Sequence, residues 1–124
     1  MTDASISAPA AAQIAPGNAA VITGAASGIG LAAARRFASL GLSVMLADLP
    51  GEALDRALDE VRTQATTGTQ AQAFACDVAD RTSVEALARR SFEAFGRVDV
   101  LMNNAAIGAN PGRTWEGGDA ASWR

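Results

Sequence analysis

TGAASGIG, residues Thr23–Gly30, places three glycines (Gly24, Gly28 and Gly30) directly after the apolar run Ala19-Ala20-Val21-Ile22. A short continuous apolar run reads as a strand buried on both faces. Beyond the loop, Ile29, Ala32, Ala33, Phe37 and Leu40 recur at helical spacing until Gly41, a natural helix stop. The stretch is therefore a strand-to-helix turn with little side-chain bulk. Gly24 permits a tight bend, Gly28 lets backbone approach a phosphate, and Gly30 lets helix and strand pack closely. The free N–H groups and partial positive charge of a helix start favour an anion there. Alone, the pattern also fits a tight turn that holds no ligand.

Strand and helix continue to alternate downstream. Ser43–Ala47 reads as a second strand ending at Asp48, and Leu54, Ala57, Leu58, Val61 and Ala65 line a second helix that stops near Gly68. Ala71–Cys76 is a third strand, followed by Asp77 and Val78. Thr82-Ser83-Val84-Glu85 matches a capping box, and Val84, Leu87, Ala88 and Phe95 give the third helix an apolar face that ends at Gly96. Val98–Met102 is a fourth strand running into Asn103-Asn104-Ala105-Ala106. This order predicts an α/β fold, a Rossmann-like doubly wound parallel sheet truncated after about four strands. Residues 1–18, rich in Ala, Ser and Pro, are expected to form a flexible N-terminal extension, and residues 19–124 an incomplete dinucleotide-binding domain. From Ile107 the sequence is loop-like, with a helix start near Asp119.

Composition narrows the chemistry. A net charge of −3 gives no electrostatic reason to seek nucleic acid or an anionic membrane. No apolar run approaches the roughly 20 residues that span a bilayer. The single cysteine, Cys76, cannot form an internal disulfide, which fits a reducing cytoplasm. The chain contains no His, no Tyr and no Lys. It therefore has no imidazole base, no P-loop lysine and no Schiff-base amine, and no metal site is expected. Proton transfer is left to carboxylates and, less plausibly, to Cys76.

Asp48 follows Gly30 by 18 residues, at the end of the second strand. An acid at that place can accept hydrogen bonds from both hydroxyls of an adenosine ribose. It would also repel a 2′-phosphate, by about 1 kcal/mol in water and about 4 at an effective dielectric of 20 for charges about 4 Å apart. NAD is therefore expected in preference to NADP. No nearby residue relieves the repulsion: Ser27, Leu49 and Pro50 bring no cation, and Arg35 and Arg36 are expected to face solvent from the helix. The plain alternative is a solvated strand-end aspartate.

Thr23-Gly24-x-x-x-Gly28-x-Gly30, Asp48, Asp77-Val78 and Asn103-Asn104-Ala105 together resemble the amino-terminal half of a short-chain dehydrogenase/reductase, over about Ala19 to Arg124. The resemblance implies a sheet of order 3-2-1-4-5-6-7, with these four strands forming one side. It implies that Ser27 and Ile29 contact the cofactor's ribose-phosphate and pyrophosphate, and that Asp48 holds the adenine ribose. Asp77 would bond the adenine amino group, with the Val78 backbone beside it. Asn104 and Ala105 would approach the nicotinamide-side ribose, while Asn103 ties the fourth strand to its neighbours. Asp77 can also be read as a helix-entry turn residue and Asn103 as purely structural. One departure is Ala106, where the family usually has Gly.

In that family a tyrosine serves as acid/base, a lysine four residues on lowers its pKa, a serine orients the substrate carbonyl and an asparagine completes a proton relay. Without Tyr or Lys no catalytic residue is assigned. Asn110 and Ser122 do not stand at the family's positions. The expectation is the NAD-binding half of an oxidoreductase that moves hydride between NAD(H) and an alcohol or carbonyl of a small molecule, inactive alone and weakly stable. Its partners would be a substrate in the longer family member, and a second copy or a complementing carboxyl-terminal half; nucleic acid and membrane are not expected. The alternatives are a non-catalytic NAD-binding sensor or regulatory module, and a nucleoside-binding methyltransferase, which leaves Asn103-Asn104-Ala105 unexplained.

Overall fold

A computed structural model describes residues 12–106. Of the expected flexible extension over 1–18, residues 1–11 lie outside the described residues, as do the loop from Ile107 and the helix start at Asp119. Within 12–18 the Gly17 N–H donates to the Gly41 carbonyl and the Asn18 side chain to the Ala12 and Gln13 carbonyls, all at 3.0 Å.

The run after residue 18 forms strand β1, Ala19–Thr23, with all five residues buried. β2 is Ser43–Asp48, β3 is Ala71–Ala75 and β4 is Val100–Met102. All pairings are parallel, in the order β3-β2-β1-β4. Ile22 lies opposite Leu46 on one side and Met102 on the other. β1 therefore sits inside the sheet, which is why its sequence is uninterrupted by polar residues. The chain steps outward from β1 through β2 to β3, then returns to lay β4 on the far side of β1.

Strand alternation sends neighbouring residues to opposite faces. Ile22, Val44 and Leu46 join Ala34 and Ala38 of helix α1 (Gly28–Ser39) with Leu54, Ala57 and Val61 of helix α2 (Glu52–Gln64). Val21, Met45 and Ala47 face the other way, against Cys76 and against Leu87 of helix α3 (Arg81–Phe95). Helices on both faces of a parallel sheet make this the expected α/β Rossmann-like architecture.

Two helix details differ from the sequence expectation. The fully buried residues of α1 are Gly30, Ala34 and Ala38, with the expected Ala33 and Phe37 partly buried beside them, whereas Ala32 is exposed and Ile29 is 73% exposed. A helix that packs tightly against a strand end selects small residues, so larger apolar residues are not the guide there. α3 is not opened by the Thr82–Glu85 capping box. Asp80 is the N-cap and accepts from the Thr82 N–H at 3.0 Å, while Glu85 pairs with Arg81 at 3.2 Å. Of the expected apolar face, Leu87 is buried and Phe95 packs beside it, Ser91 is buried with them, and Val84 and Ala88 are exposed. The helix does end at Gly96, whose φ of 75° suits glycine.

β4 is also shorter than the expected Val98–Met102, because Asp99 is engaged below the ladder. Its N–H donates to the Ala19 carbonyl at 2.9 Å, and its Oδ2 accepts the Ala19 N–H at 2.9 Å. The Arg97 guanidinium grips both Asp99 oxygens, at 2.7 and 2.8 Å. The Arg97 hydrogen bonds first, and the Ala19 N–H second, hold the Asp99 carboxyl below the usual aspartate range. A pKa lowered by folding stabilises the fold above the unfolded value, and that stabilisation is lost as pH falls through the folded value. Asp99→Asn should thus lower the thermal midpoint at neutral pH, with the deficit shrinking below the ordinary aspartate value of about 3.9. A deficit independent of pH in thermal melts would contradict this.

Candidate functional site

In a parallel sheet all strands end on one edge, and a crevice opens where successive connections diverge to opposite sides. Here that point lies between β1 and β4. Four segments meet at this edge: the glycine loop after β1, Asp48 and Leu49 after β2, Cys76 to Val78 after β3, and Asn103 to Ala106 after β4.

The glycine loop is shaped by contact. A Cβ on Gly30 would collide with the Gly24 carbonyl and come within 2.6 Å of Asn104 Nδ2. A Cβ on Gly24 would lie 2.9 Å from Asn104 Nδ2 and 3.0 Å from the Ala105 backbone. Gly28 differs: its φ is +56° and a Cβ there would meet nothing within 4 Å. Gly30 thus answers to packing, Gly24 to both packing and a φ of +66°, and Gly28 to backbone conformation beside open space. Ser27 stands at the N-cap of α1 with no side-chain capping bond, and no acid occupies the first turn. The early N–H groups of a helix have no intrahelical acceptor. α2 differs in carrying Glu52 and Asp55 in its first turn.

Thr23 ties the two central loops together. Its buried Oγ1 accepts the N–H groups of Asn104 and Ala105, both at 3.1 Å, and lies 3.4 Å from the Met102 carbonyl oxygen. The Asn104 side chain reinforces the link by donating to the Gly24 carbonyl at 3.2 Å. The structure assigns this tie to Asn104, not to Asn103, which is exposed. The end of β4 and the bend of the glycine loop are therefore one assembly.

Asp48 is half-buried, its Oδ2 accepting the Ala26 N–H at 2.9 Å and its Oδ1 the Leu49 N–H at 2.8 Å. Asp77 is exposed and partly engaged as a turn residue. Its carboxylate accepts the Ala79 N–H at 2.9 Å, and its own N–H donates to Ser83 Oγ at 3.1 Å. Both acids border a cleft of about 90 Å³ that Gly24, Leu49, Cys76, Val78, Ala105 and Ala106 complete. An adjoining cleft of about 270 Å³ shares Gly24, Asp48, Ala105 and Ala106 with it, and adds Ser27 and Asn104. Together they form a groove across the strand ends.

Of the residues singled out from the sequence, Gly24, Ser27, Asp48, Asp77, Val78, Asn104 and Ala105 line this groove. Gly28 and Ile29 are exposed at the adjacent helix start, and Gly30 is buried beneath it. Arg35 and Arg36 are exposed, as expected, and border a separate hollow with Ala32, Ser39 and Gln64. A larger cleft of about 470 Å³ at the opposite edge, around Arg62 and residues 65–72, gathers no comparable set of groups. Sequence reading gave no role to Ala26 or Leu49, named Thr23 only within the glycine-loop motif, and did not place Cys76 at this groove. Thr23 carried a signal, since a hydroxyl at the end of an apolar strand needs a partner once buried. Among the described residues, no three His, Cys, Asp or Glu side chains are grouped to hold a metal, and no helix is long and apolar enough to cross a membrane.

Replacing Thr23 with Val preserves shape but removes the acceptor for two N–H groups. Stability should fall by about 1–3 kcal/mol in denaturant unfolding, while Thr23→Ser stays close to the parent. Equal stability of Thr23→Val and parent would show that the clamp carries no weight.

Comparison with known proteins agrees with this geometry. The short chain dehydrogenase family model matches residues 18–124. The 1-deoxy-11-beta-hydroxypentalenate dehydrogenase of Streptomyces exfoliatus is 46% identical over 89 residues, covering 72% of this chain and 31% of that protein. A short-chain dehydrogenase/reductase from Burkholderia phymatum, solved in complex with NAD, is 44% identical with a TM-score of 0.71, over 87% of this chain and 37% of its own. L-sorbose reductase from Gluconobacter frateurii, complexed with NADPH and L-sorbose, is 34% identical with a TM-score of 0.72, over 88% of this chain and 40% of its own. The chain thus spans about a third of the length of the curated relative named here. The glycine loop, the sheet order and a family model over nearly the whole sequence place this chain in the short-chain dehydrogenase/reductase family.

Proposed function

We propose that this chain is the NAD-binding portion of an oxidoreductase that moves hydride between NAD(H) and an alcohol or carbonyl group of a small molecule. The observation that carries the reading is one groove bordered by both the Asp48 carboxylate and Ser27 at the open start of α1. The first suits a ribose diol and the second a pyrophosphate.

The residues fit the cofactor. At Gly28 the backbone is compatible with glycine and the space above it is clear, so the N–H groups of Gly28 and Ile29 can reach phosphate oxygens without obstruction. Ser27 adds a hydroxyl that caps nothing. Asp48 spends two carboxylate positions on Ala26 and Leu49, which leaves lone pairs for ribose hydroxyls. Val78, 36% exposed, offers an apolar wall for the adenine, with Asp77 beside it. Asn104 and Ala105 present the far side of the groove to the nicotinamide-side ribose.

When bound, the nicotinamide ring supplies or takes up the hydride. The chain's own share is to bind and orient. With no Tyr, Lys or His in its sequence, it does not itself exchange the proton at the substrate oxygen, and alone it is inactive. Relatives bind either NAD or NADP, and the preference for NAD rests on Asp48. A single buried free cysteine is consistent with a cytoplasmic location.

Titration with reduced cofactors, followed by calorimetry or cofactor fluorescence, should show NADH binding at least about fivefold more tightly than NADPH. Asp48→Ala should weaken NADH and narrow that gap. Equal affinities in the parent would remove Asp48 from this role. Gly28→Val forces a branched residue into a positive φ and fills the phosphate space. Binding should be lost, and retained affinity would refute the loop assignment.

A further inference from the structure

We infer that Asp48 is a positioning residue for the glycine loop as well as the acid facing the cofactor's ribose, so that loop geometry and cofactor choice are coupled through one carboxylate. The functional half of this inference rests on the cofactor reading above; the structural half stands without it.

After β1 the loop passes over the end of β2. The Ala25 N–H donates to the Ala47 carbonyl at 3.2 Å, and the Ala26 N–H to Asp48 Oδ2 at 2.9 Å. The next backbone bond is the helical one from the Leu31 N–H to the Ser27 carbonyl, at 3.2 Å. Between the wedged Gly24 and the first turn of α1, two consecutive β2 residues therefore hold the loop. The bond from Ala25 ends on backbone and is insensitive to side-chain identity. The bond from Ala26 depends wholly on residue 48. On its other side the carboxylate takes the Leu49 N–H at 2.8 Å, so its orientation is set from two directions before any ligand arrives. Hydrogen bonds to a charged acceptor are the stronger kind.

One group thus performs two separable tasks. Its charge opposes a 2′-phosphate, and its acceptor oxygen holds Ala26. Relieving the first by deleting the side chain also releases the second, next to the phosphate-binding backbone. An asparagine separates them, because it loses the charge but keeps one oxygen. Leu49 is 60% exposed, so its N–H can turn to water, whereas Ala26 is half-buried. The remaining oxygen should therefore serve Ala26.

The test is amide hydrogen exchange of the unliganded full chain, with Asp48→Ala and Asp48→Asn beside the parent. The Ala26 amide should exchange about tenfold or more faster in Asp48→Ala, and within about threefold of the parent in Asp48→Asn. The amides of Val21 and Met45 report that the sheet persists. If they lose protection in Asp48→Ala, Asp48→Val takes its place, since a branched side chain suits a strand end. Inorganic pyrophosphate then probes the loop without a ribose. The two neutral variants have equal charge, so pyrophosphate should bind Asp48→Asn about fivefold more tightly than Asp48→Ala. Unchanged Ala26 exchange on deleting the carboxylate, or equal pyrophosphate affinities of the neutral variants, overturns the coupling. If the parent binds neither NADH nor pyrophosphate, the cofactor reading fails, and Ala26 exchange still decides whether Asp48 holds the loop.

Discussion

Three backbone segments meet at Gly30 with no room for a β-carbon. The carbonyl of Gly24, at the end of the central strand, and the Asn104 side chain, after β4, both press on the first turn of α1 there. Everything at the sheet edge follows from that approach. It draws α1 down until Gly30, Ala34 and Ala38 are fully buried against the sheet, with Leu31, Ala33 and Phe37 packed beside them. It also brings the Asn104 amide within reach of the Gly24 carbonyl and leaves the helix start uncovered beside Asp48. A methyl group at Gly30 would force the helix and the strand ends apart together.

The inner strands β1 and β2 were legible because a parallel sheet with helices on both faces buries its inner members almost completely, whereas the edge strands β3 and β4 are only partly buried. β1 and β2 appear in the sequence as unbroken apolar runs bounded by Gly and Asp, and their limits agree with the structure to within a residue. The helices were legible in number and extent, but less so in facing. Periodicity weighs residues by hydrophobicity, whereas the most buried residues of α1 are the small Gly30, Ala34 and Ala38. For α3 the Thr82–Glu85 pattern was a valid capping signal displaced by Asp80, two residues earlier. A sequence motif cannot rank two competing caps whose outcome depends on where the incoming chain leaves β3.

The groove was legible in its parts rather than its connections. Spacing located Asp48 and the glycines, and the family resemblance supplied Asp77, Val78, Asn104 and Ala105. Sequence could not reveal that Thr23 joins the ends of two strands or that Ala26 hangs from Asp48. Those bonds link positions 81 and 22 residues apart, and hydrogen-bond partners at such separations leave no local periodicity. The same reason explains why Asn104 rather than Asn103 makes the tie to the glycine loop. Adjacent residues at a strand end point in different directions, and only the register of β4 against β1 decides which one meets the glycine loop.

The position of β4 bears on the order in which the molecule is made. β1 pairs with β2 across a single helix, but with β4 only after one further strand and two further helices have been laid down. The contacts of Ala19 with Asp99 and of Thr23 with Asn104 and Ala105 are among the most distant in the chain. Closing loops of that length delays the contacts that depend on them. The groove is thus a late product of folding, while most of its floor, including Asp48 and the glycine loop, belongs to the earlier β1-α1-β2 unit. A nascent chain carries half of the groove well before it has the residues that complete it. Any ligand that spanned both halves would hold β4 in place by mass action.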